Sequence, residues 1–444
     1  MSFVLVCFFV LIIFAATCFF GKFAEKMSKK CFNLLFGGIV LLGFLLRLWT
    51  VIKIPCEPFS DYNTMIDTAK SFAEGGKPFV FGSYFQRFPH MTSFTVFCGA
   101  LMKVFGTDVF VIKMFSVIFK TIAVFLAGLL GKEFFGKKGL LTTSFIYTVF
   151  PADIFYTPVA ATENFAITFL LFSFLFYIKA FKEEDNKKVL IYSLICGAVL
   201  SLGCHLRGVA PFYFAAYFAG ILLLFGKIRK KLLAFTSIIV SFFIIFQTAN
   251  LFLFYSGITD YKLSDKGEPY TVYMLVGFNF DTNGMYSGED HGVYLDAGEN
   301  PQKASSVAID KLVDRIRNNK EKIIPLFLKK TDIIWSDGSF NGVYWSMVEN
   351  GTGAVNPFSD KAQTISNSFY YMLLIMSLFT LIFYKKRKLS FMQLLLLLAF
   401  EGGLMLMEIQ PRYTFSCAYI FVLMSATGYC LVYDFVKQKF FVKR

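Results

Sequence analysis

The sequence predicts an all-α, multi-pass membrane protein with a small external α+β segment, and three observations lead to this fold class. Hydrophobic residues make up 56% of the 444 residues, and the mean hydropathy is +0.59, whereas soluble domains are about 45–50% apolar. Charged residues contribute only 17%, against roughly 25% in soluble domains. Apolar runs long enough to cross a bilayer, about 20 residues each, recur along the chain. A water-soluble protein is therefore excluded.

The positive charges are confined to short loops between the apolar runs. The net charge is +14, but Lys and Arg concentrated in short loops are typical of the cytoplasmic face of a membrane protein rather than of nucleic-acid binding. Placing every basic loop inside the cell predicts about eleven crossings. They cover residues 2–20, 31–52, 109–130, 139–156, 163–178, 189–204, 209–225, 232–255, 367–384, 389–407 and 413–433. Because the charges follow the first run instead of preceding it, we expect an uncleaved span with its N-terminus outside.

This topology divides the chain into three regions. Residues 1–255 form an N-terminal membrane region whose first external loop is 53–108, residues 256–366 form an external segment, and residues 367–444 return to the membrane. The apolar stretch 91–105 is too short to span and is predicted to be a juxtamembrane or re-entrant helix. In the external segment, Asn300 and Pro301 fit the N-cap and first position of an amphipathic helix that ends near Arg317.

The first external loop carries the main candidate for catalysis. Ser60 is predicted to cap a short helix that begins with Asp61 and stops at Gly75-Gly76. Asp61 is our candidate for a catalytic base that acts at the outer surface on a lipid-linked substrate. The alternative is that Asp61 is only an acid at a helix N-terminus, where the helix dipole favours negative charge whatever the function.

Other charged residues are expected at the external face or within the membrane. The external group comprises Asp61, Arg87, His90, Glu163, Arg207, Glu408 and Arg412. Lys120 and Glu401 fall inside predicted spans, where a charge costs roughly 2.5–3.5 kcal/mol, so we expect them to pair with each other or to line a cavity. The nine Cys show no metal-ligand spacing and only three His are present, so a His-based metal site is not expected.

Four short motifs, in this order and on this side of the membrane, resemble those of the GT-C superfamily of membrane glycosyltransferases. The closest likeness is to bacterial members of glycosyltransferase family 39, which are related to protein O-mannosyltransferases and the lipid A aminoarabinose transferase. The motifs are Asp61 in the first external loop, Tyr84-Phe85-Gln86-Arg87-Phe88-Pro89-His90, Phe150-Pro151-Ala152-Asp153 with Ala161-Thr162-Glu163-Asn164, and Glu408-Ile409-Gln410-Pro411-Arg412-Tyr413. The likeness covers roughly residues 30–433. It departs at Phe88-Pro89, where relatives often have Pro-Pro, and in the additional first span.

The resemblance implies transfer of a hexosyl or pentosyl group from a polyprenyl-phosphate-linked sugar to a hydroxyl of a glycan, lipid or protein. It implies a bacterial plasma-membrane enzyme of the cell envelope, similar to mannosyltransferases, with its active site outside. Asp61 resembles the base and Glu163 the second acid. For the donor phosphate, Arg412 with Tyr413 is the first choice, ahead of Arg87 and Arg207. Further pocket candidates are His90, Tyr62 and Glu408. No cofactor is certain, a divalent metal stays open, and no nucleic-acid partner is expected.

Three other functions fit the sequence less well. A transporter or lipid flippase would explain the intramembrane charges, but the halves of the chain contain no matching broken helices. A polysaccharide polymerase or ligase that transfers a whole lipid-linked glycan would also need external arginines and a large external loop. A non-enzymatic assembly subunit would not require the carboxylates and arginines. The early position of Asp61 favours the glycosyltransferase.

Overall fold

The computed structural model describes residues 3–384 and 387–441, and the named secondary-structure elements of these residues are all helices. Within it, the only β contact is an isolated bridge between Phe79 and Thr259. Ser2 of the first predicted span, and Lys385, Lys386, Lys443 and Arg444 of the predicted basic loops, lie outside the described residues. The helices are α1 Phe3–Phe23, α2 Lys29–Lys53, α3 Asp61–Ala73, α4 Tyr84–Arg87, α5 Thr92–Phe105, α6 Val109–Thr148, α7 Pro151–Tyr156, α8 Glu163–Lys182, α9 Asn186–Leu206, α10 Ala210–Leu224, α11 Ile228–Tyr255, α12 Tyr270–Gly277, α13 Gly288–Asp296, α14 Pro301–Asn318, α15 Ile323–Trp335, α16 Ser359–Phe383, α17 Arg387–Leu406 and α18 Tyr419–Phe441.

The predicted fold class, an all-α multi-pass membrane protein, is confirmed. Among the described helices, nine are long and apolar enough to cross a membrane, namely α1, α2, α6, α8, α9, α11, α16, α17 and α18. α10 is also apolar but shorter. α8 and α18 are mostly buried, whereas α1 and α11 keep most of their side chains on the outside of the bundle, where lipid replaces water as the solvent. The predicted number of crossings stays a prediction.

Helix α6 is a hairpin of two antiparallel arms rather than one long rod. Phe135 and Gly136 leave helical geometry, and Gly136 has φ +61°. A Cβ on Gly128 would lie within contact distance of Ser144 Oγ, although residues sixteen apart in a straight helix are about 24 Å apart. The two arms correspond to the predicted crossings 109–130 and 139–156. The second arm ends early, because α6 stops at Thr148 and a separate helix, α7, begins at Pro151.

The external segment 256–366 is helical in the structure, so the expected β part of the cap is wrong. Its glycines lie at helix ends and in turns between helices, as at Gly284 and Gly298 with φ of +75° and +68°, where glycine accommodates a left-handed backbone. The predicted amphipathic helix is confirmed as α14, with the side chain of Asn300 accepting a hydrogen bond from Lys303 N. The helices share a small core of Val272, Leu275, Phe278, Val293, Ala308, Leu312 and Leu326.

The first external loop is held in place by the packing of α3 against α5. The predicted helices from Asp61 and through 91–105 are both present. A Cβ on Gly99 would lie 2.9 Å from Ala69 O, so only glycine permits this approach of the two helices. Ser60 occupies the N-cap position as predicted, but its side chain makes no capping hydrogen bond. Its φ of +53° is the left-handed region, whereas N-cap residues usually have an extended backbone.

Candidate active site

Asp61 lies between a phenol and a guanidinium. Its Oδ1 accepts a hydrogen bond from the Tyr84 hydroxyl at 2.9 Å, and its Oδ2 lies 3.4 Å from Arg412 Nη2. Burial, together with the charge of Asp61, raises the pKa of Tyr84, so Tyr84 remains a hydrogen-bond donor. The Asp61 side chain is 37% exposed, whereas that of Arg412 is 8% exposed. The carboxylate is therefore accessible, and the cation beneath it is fixed.

Aromatic rings hold the Arg412 guanidinium. Its Cζ lies 5.3 Å from the ring centre of Tyr62, 5.2 Å from that of Trp345 and 5.9 Å from that of Tyr413. Trp345 belongs to a π-helical turn, Tyr344–Val348, a feature that often accompanies functional sites. In the described part of the chain, the Nε of Arg412 is buried without a hydrogen-bond partner. Such a donor is costly to bury unless something accepts from it.

A second ion pair, between Glu163 and Arg207, also contacts the ring of Tyr413. Glu163 begins α8 and is fully buried, with Oε1 2.9 Å from Arg207 Nη1 and Oε2 accepting from the Thr162 hydroxyl at 2.8 Å. The Arg207 Cζ lies 5.5 Å from the Tyr413 ring centre, so two guanidiniums contact the same ring. The Nε of Arg207 is also buried with no partner among the described side chains and backbone.

Arg87 and Glu408 belong to a chain of charged groups that reaches Tyr413. Glu268 accepts from Arg87 Nε at 2.7 Å and contacts His291 Nδ1 at 2.8 Å, and His291 Nε2 lies 2.9 Å from Glu408 Oε2. Glu408 Oε1 in turn accepts from the Tyr413 hydroxyl at 3.3 Å. Arg87 is thus paired with a carboxylate rather than directed to the Asp61 site. The chain connects the external segment to the loop that carries Arg412.

His291 is charged at neutral pH in this arrangement. Burial alone would lower its pKa, but hydrogen bonds and the charges of Glu268 and Glu408 raise the pKa of His291 to about 9. One imidazolium between two carboxylates can donate from both ring nitrogens. His90, the only histidine among the predicted site residues, is exposed beside the Phe88 ring. His90 does not connect two carboxylates in the way that His291 does.

Lys120 and Glu401 do not pair, which corrects the prediction from the sequence. Lys120 Nζ lies 2.7 Å from Asp153 Oδ1, and Arg47 Nη2 lies 2.6 Å from Asp153 Oδ2, with all three side chains 0–1% exposed. Glu401 instead accepts hydrogen bonds from Thr331 and Trp335 of α15. The reason is that Asp153, at the start of α7, lies between the two cations, whereas Glu401 faces the external segment.

This buried cluster is one aromatic layer away from Arg412. Lys120 Nζ lies 5.8 Å from the ring centre of Tyr156, whose hydroxyl is 3.3 Å from that of Tyr62, and Tyr62 contacts Arg412. Two cations against one carboxylate give the cluster a net positive charge.

Most of the predicted site residues thus lie in one connected region. Asp61, Tyr62, Glu163, Arg207, Glu408, Arg412 and Tyr413 are joined by the contacts above. Four further residues of this region, Tyr84, Glu268, His291 and Trp345, were not predicted as site residues. Of these, only Tyr84 carried a signal, since it opens the motif that ends at His90.

The described residues contain no group of three or more His, Cys, Asp or Glu side chains arranged to hold a metal ion. Asp61 has a phenol and a guanidinium as its closest polar partners, and a cation next to the carboxylate opposes binding of a metal ion there. The Asp61 surroundings therefore do not fit a carboxylate-rich metal site.

Comparison with known proteins gives a family match and similar folds. The family model described as dolichyl-phosphate-mannose-protein mannosyltransferase matches residues 91–251. The apo oligosaccharyltransferase of Archaeoglobus fulgidus is similar with a TM-score of 0.54 at 13% identity, covering 94% of this chain and 52% of that one. The A. fulgidus oligosaccharyltransferase AglB in complex with an inhibitory peptide and a dolichol-phosphate gives a TM-score of 0.50 at 13% identity, covering 94% and 51%.

A third structure, ArnT from Cupriavidus metallidurans bound to undecaprenyl phosphate, matches with a TM-score of 0.37 at 10% identity, covering 90% of this chain and 78% of that one. The comparison with curated proteins found no match. The chain spans about half the length of the archaeal oligosaccharyltransferase structures that it matches. At these identities the structural likeness concerns the fold.

Proposed function

The chain has the fold of the GT-C superfamily of membrane glycosyltransferases, and on this premise we propose that it transfers a sugar from a polyprenyl-phosphate-linked donor to an acceptor hydroxyl. The reaction takes place at the extracytoplasmic face of the plasma membrane. The observation that carries the proposal is the arrangement of Asp61, an accessible carboxylate, beside Arg412, a buried cation with an unused donor.

Asp61 acts as the general base. The acceptor hydroxyl approaches the exposed side of its carboxylate, and its proton passes to Asp61 as the oxygen attacks the anomeric carbon. Tyr84 donates a hydrogen bond to one carboxylate oxygen of Asp61 and Arg412 lies beside the other, so these two side chains fix the orientation of the carboxylate. The bond between the anomeric carbon and the phosphate oxygen breaks, and its electron pair leaves with the polyprenyl phosphate. Attack in one step inverts the anomeric centre.

Arg412 and Arg207 bind the donor phosphate. Guanidinium groups match phosphate oxygens with two parallel hydrogen bonds, and both arginines retain a buried Nε without an acceptor in the described chain. Both also contact the Tyr413 ring, which keeps them close to each other. As the phosphate gains charge in the transition state, these fixed donors stabilise it without reorganisation.

Glu163 positions Arg207 rather than the acceptor. Its side chain is fully buried, and one oxygen lies at ion-pair distance from Arg207 while the other accepts from Thr162. A carboxylate that is fully buried cannot meet an acceptor hydroxyl and is therefore a poor second base. Glu163 is the first residue of α8, so the helix holds it in a fixed position beside Arg207.

The sidedness of the site rests on the distribution of basic loops. Residues 132–138, 179–188 and 227–231 connect helices at the end of the bundle away from Asp61. Positive loops are retained on the cytoplasmic side, so Asp61 faces outward. Cysteine labelling of an Asn63→Cys variant in intact cells by a membrane-impermeant maleimide tests this orientation, and labelling only after lysis would contradict it.

Reconstitution in sealed vesicles tests the proposed reaction against its rivals. The purified protein is supplied with a polyprenyl-phosphate sugar and with acceptor fractions from the cell envelope, and products are analysed by mass spectrometry. A transferase produces a new glycosidic bond and free polyprenyl phosphate. Translocation of the lipid without any such bond would establish a flippase, and transfer of a preassembled glycan would establish a polymerase or ligase. The sugar missing from the envelope of a deletion strain identifies the donor.

A further inference from the structure

Two cavities adjoin at Tyr384, at the end of the bundle that carries the basic loops. One is polar and has a volume of about 540 Å³, between the ends of α1, α8 and α18 and the hairpin turn of α6. The other is mainly apolar and also has a volume of about 540 Å³, between α10, α16 and α17. Tyr384 lines both, and its hydroxyl is fixed by Phe134 O at 3.2 Å. Cavities of this size hold small molecules or lipid portions.

The polar cavity has an excess of positive charge. Four lysines line it, Lys132, Lys138, Lys182 and Lys437. Two of them are neutralised, since Lys138 pairs with Asp434 and Lys182 with Glu133, both at 2.5 Å. The third acid, Glu25, lies 3.6 Å from Lys137. Lys132 and Lys437 have no carboxylate at ion-pair distance in the described chain. An anion is the natural complement to these two ammonium groups.

The apolar cavity is formed by membrane-facing helices. Leu224, Leu381, Phe391 and Leu394 supply most of its surface, with Lys388 and Ser390 as its polar members. Leu381 is 39% exposed on α16, where the helix meets the hydrocarbon of the bilayer. Lipid acyl chains therefore have direct access to this cavity.

We propose that the two cavities form one binding site for an anionic glycerophospholipid of the cytoplasmic leaflet. The phosphate lies against Lys132 and Lys437 in the polar cavity, and one acyl chain enters the apolar cavity past Tyr384. Basic pockets between membrane helices on the cytoplasmic side bind anionic headgroups, and the adjoining apolar cavity distinguishes a lipid from a soluble phosphate. This site is separate from the glycosyltransfer site and does not depend on the function proposed for it.

Native mass spectrometry of the full chain in a neutral detergent tests the proposal. The protein is titrated with dioleoyl phosphatidylglycerol, with dioleoyl phosphatidylcholine and with inorganic phosphate. We expect the first to bind at least about tenfold more tightly than the second, since the two lysines of the polar cavity attract an anionic headgroup. Phosphatidylcholine binding as tightly, or inorganic phosphate displacing the anionic lipid at equal concentration, would overturn the proposal.

Two variants assign the binding to these cavities. Lys132→Gln/Lys437→Gln should weaken phosphatidylglycerol binding about tenfold or more, whereas Lys29→Gln/Lys30→Gln, which changes two exposed lysines at the start of α2, should leave it unchanged. Leu394→Trp should fill the apolar cavity and weaken binding without removing a charge. Equal binding by the wild type and both cavity variants would refute the site. Elution volume on size-exclusion chromatography verifies that each variant is folded.

Discussion

Arg412 Nη2 lies 3.4 Å from Asp61 Oδ2, although the two residues are 351 positions apart in the sequence. The contact joins the proposed base to the proposed phosphate ligand before any substrate is present. A bound phosphate would compete with Asp61 for the guanidinium, because phosphate oxygens are strong acceptors for arginine. Donor binding would then free Asp61 Oδ2 for the acceptor hydroxyl, which makes binding of the donor before the acceptor the favoured order.

Asp61→Asn should reduce the rate of glycosyl transfer by about 10²- to 10⁴-fold, because the amide cannot take the proton of the acceptor hydroxyl. Binding of polyprenyl phosphate should persist. Asp67→Asn is the matched control, since Asp67 lies on the same helix and is 57% exposed beside Lys70. The measurement is the initial rate in proteoliposomes. Full activity of the Asp61 variant would eliminate this residue as the base.

Arg412→Lys should weaken the binding of polyprenyl phosphate by about tenfold or more, since lysine keeps the charge but loses the planar, two-point contact. Lysine also stacks less well among Tyr62, Trp345 and Tyr413. The dissociation constant is measured by scintillation proximity with labelled lipid. Arg229→Lys, an exposed residue at the basic end of the bundle, serves as control. Unchanged affinity in the Arg412 variant would assign the phosphate elsewhere.

The stability of the protein should fall at alkaline pH through His291. Its pKa is raised from 6.5 to about 9 by Glu268 and Glu408, so folding favours the protonated form. This contribution is complete below about pH 6.5 and is lost as the pH rises through about 9. The melting temperature should therefore decline more between about pH 7 and pH 10 in the wild type than in His291→Gln. Exposed His90→Gln should behave like the wild type, and parallel profiles for all three proteins would refute the charge assignment.

The buried cluster predicts a large loss of stability when its acid is replaced and a small loss when one of its bases is replaced. Asp153→Asn leaves Lys120 and Arg47 buried without a countercharge and should cost about 3–5 kcal/mol or more. Lys120→Met leaves the Arg47–Asp153 pair matched and should cost only about 1 kcal/mol. Thermal unfolding in mild detergent separates the two variants. Equal destabilisation would show that Lys120 is needed to balance a further buried acid.

The membrane helices could be predicted because the bilayer sets the length of each apolar run and the basic loops fix the alternation. Helix α14 could be predicted because Asn300, Pro301 and the buried Ala304, Ala308 and Leu312 follow local rules of capping and periodicity. These signals lie within a few residues of one another. The break at Gly136 could also be predicted, because it lies between two apolar runs that the basic loop assigns to different crossings.

The pairing of Lys120 could not be predicted from local signals. Asp153 lies 33 residues from Lys120 and 106 from Arg47, and only the fold of the α6 hairpin and α7 brings the three together. The chain from Arg87 through Glu268 and His291 to Glu408 likewise joins three distant parts of the sequence. In the external segment, the glycine turns are compatible with strands or helices, and the small core that the external helices share joins residues distant in the sequence.

The distance in sequence between Asp61 and Arg412 also bears on biosynthesis. In the described chain, eight of the nine helices long and apolar enough to span a membrane precede Arg412. All eight must leave the ribosome before this guanidinium can reach the first loop. A chain that stops before Arg412 would carry Asp61 without the guanidinium proposed to bind the donor phosphate, so we expect it to be inactive.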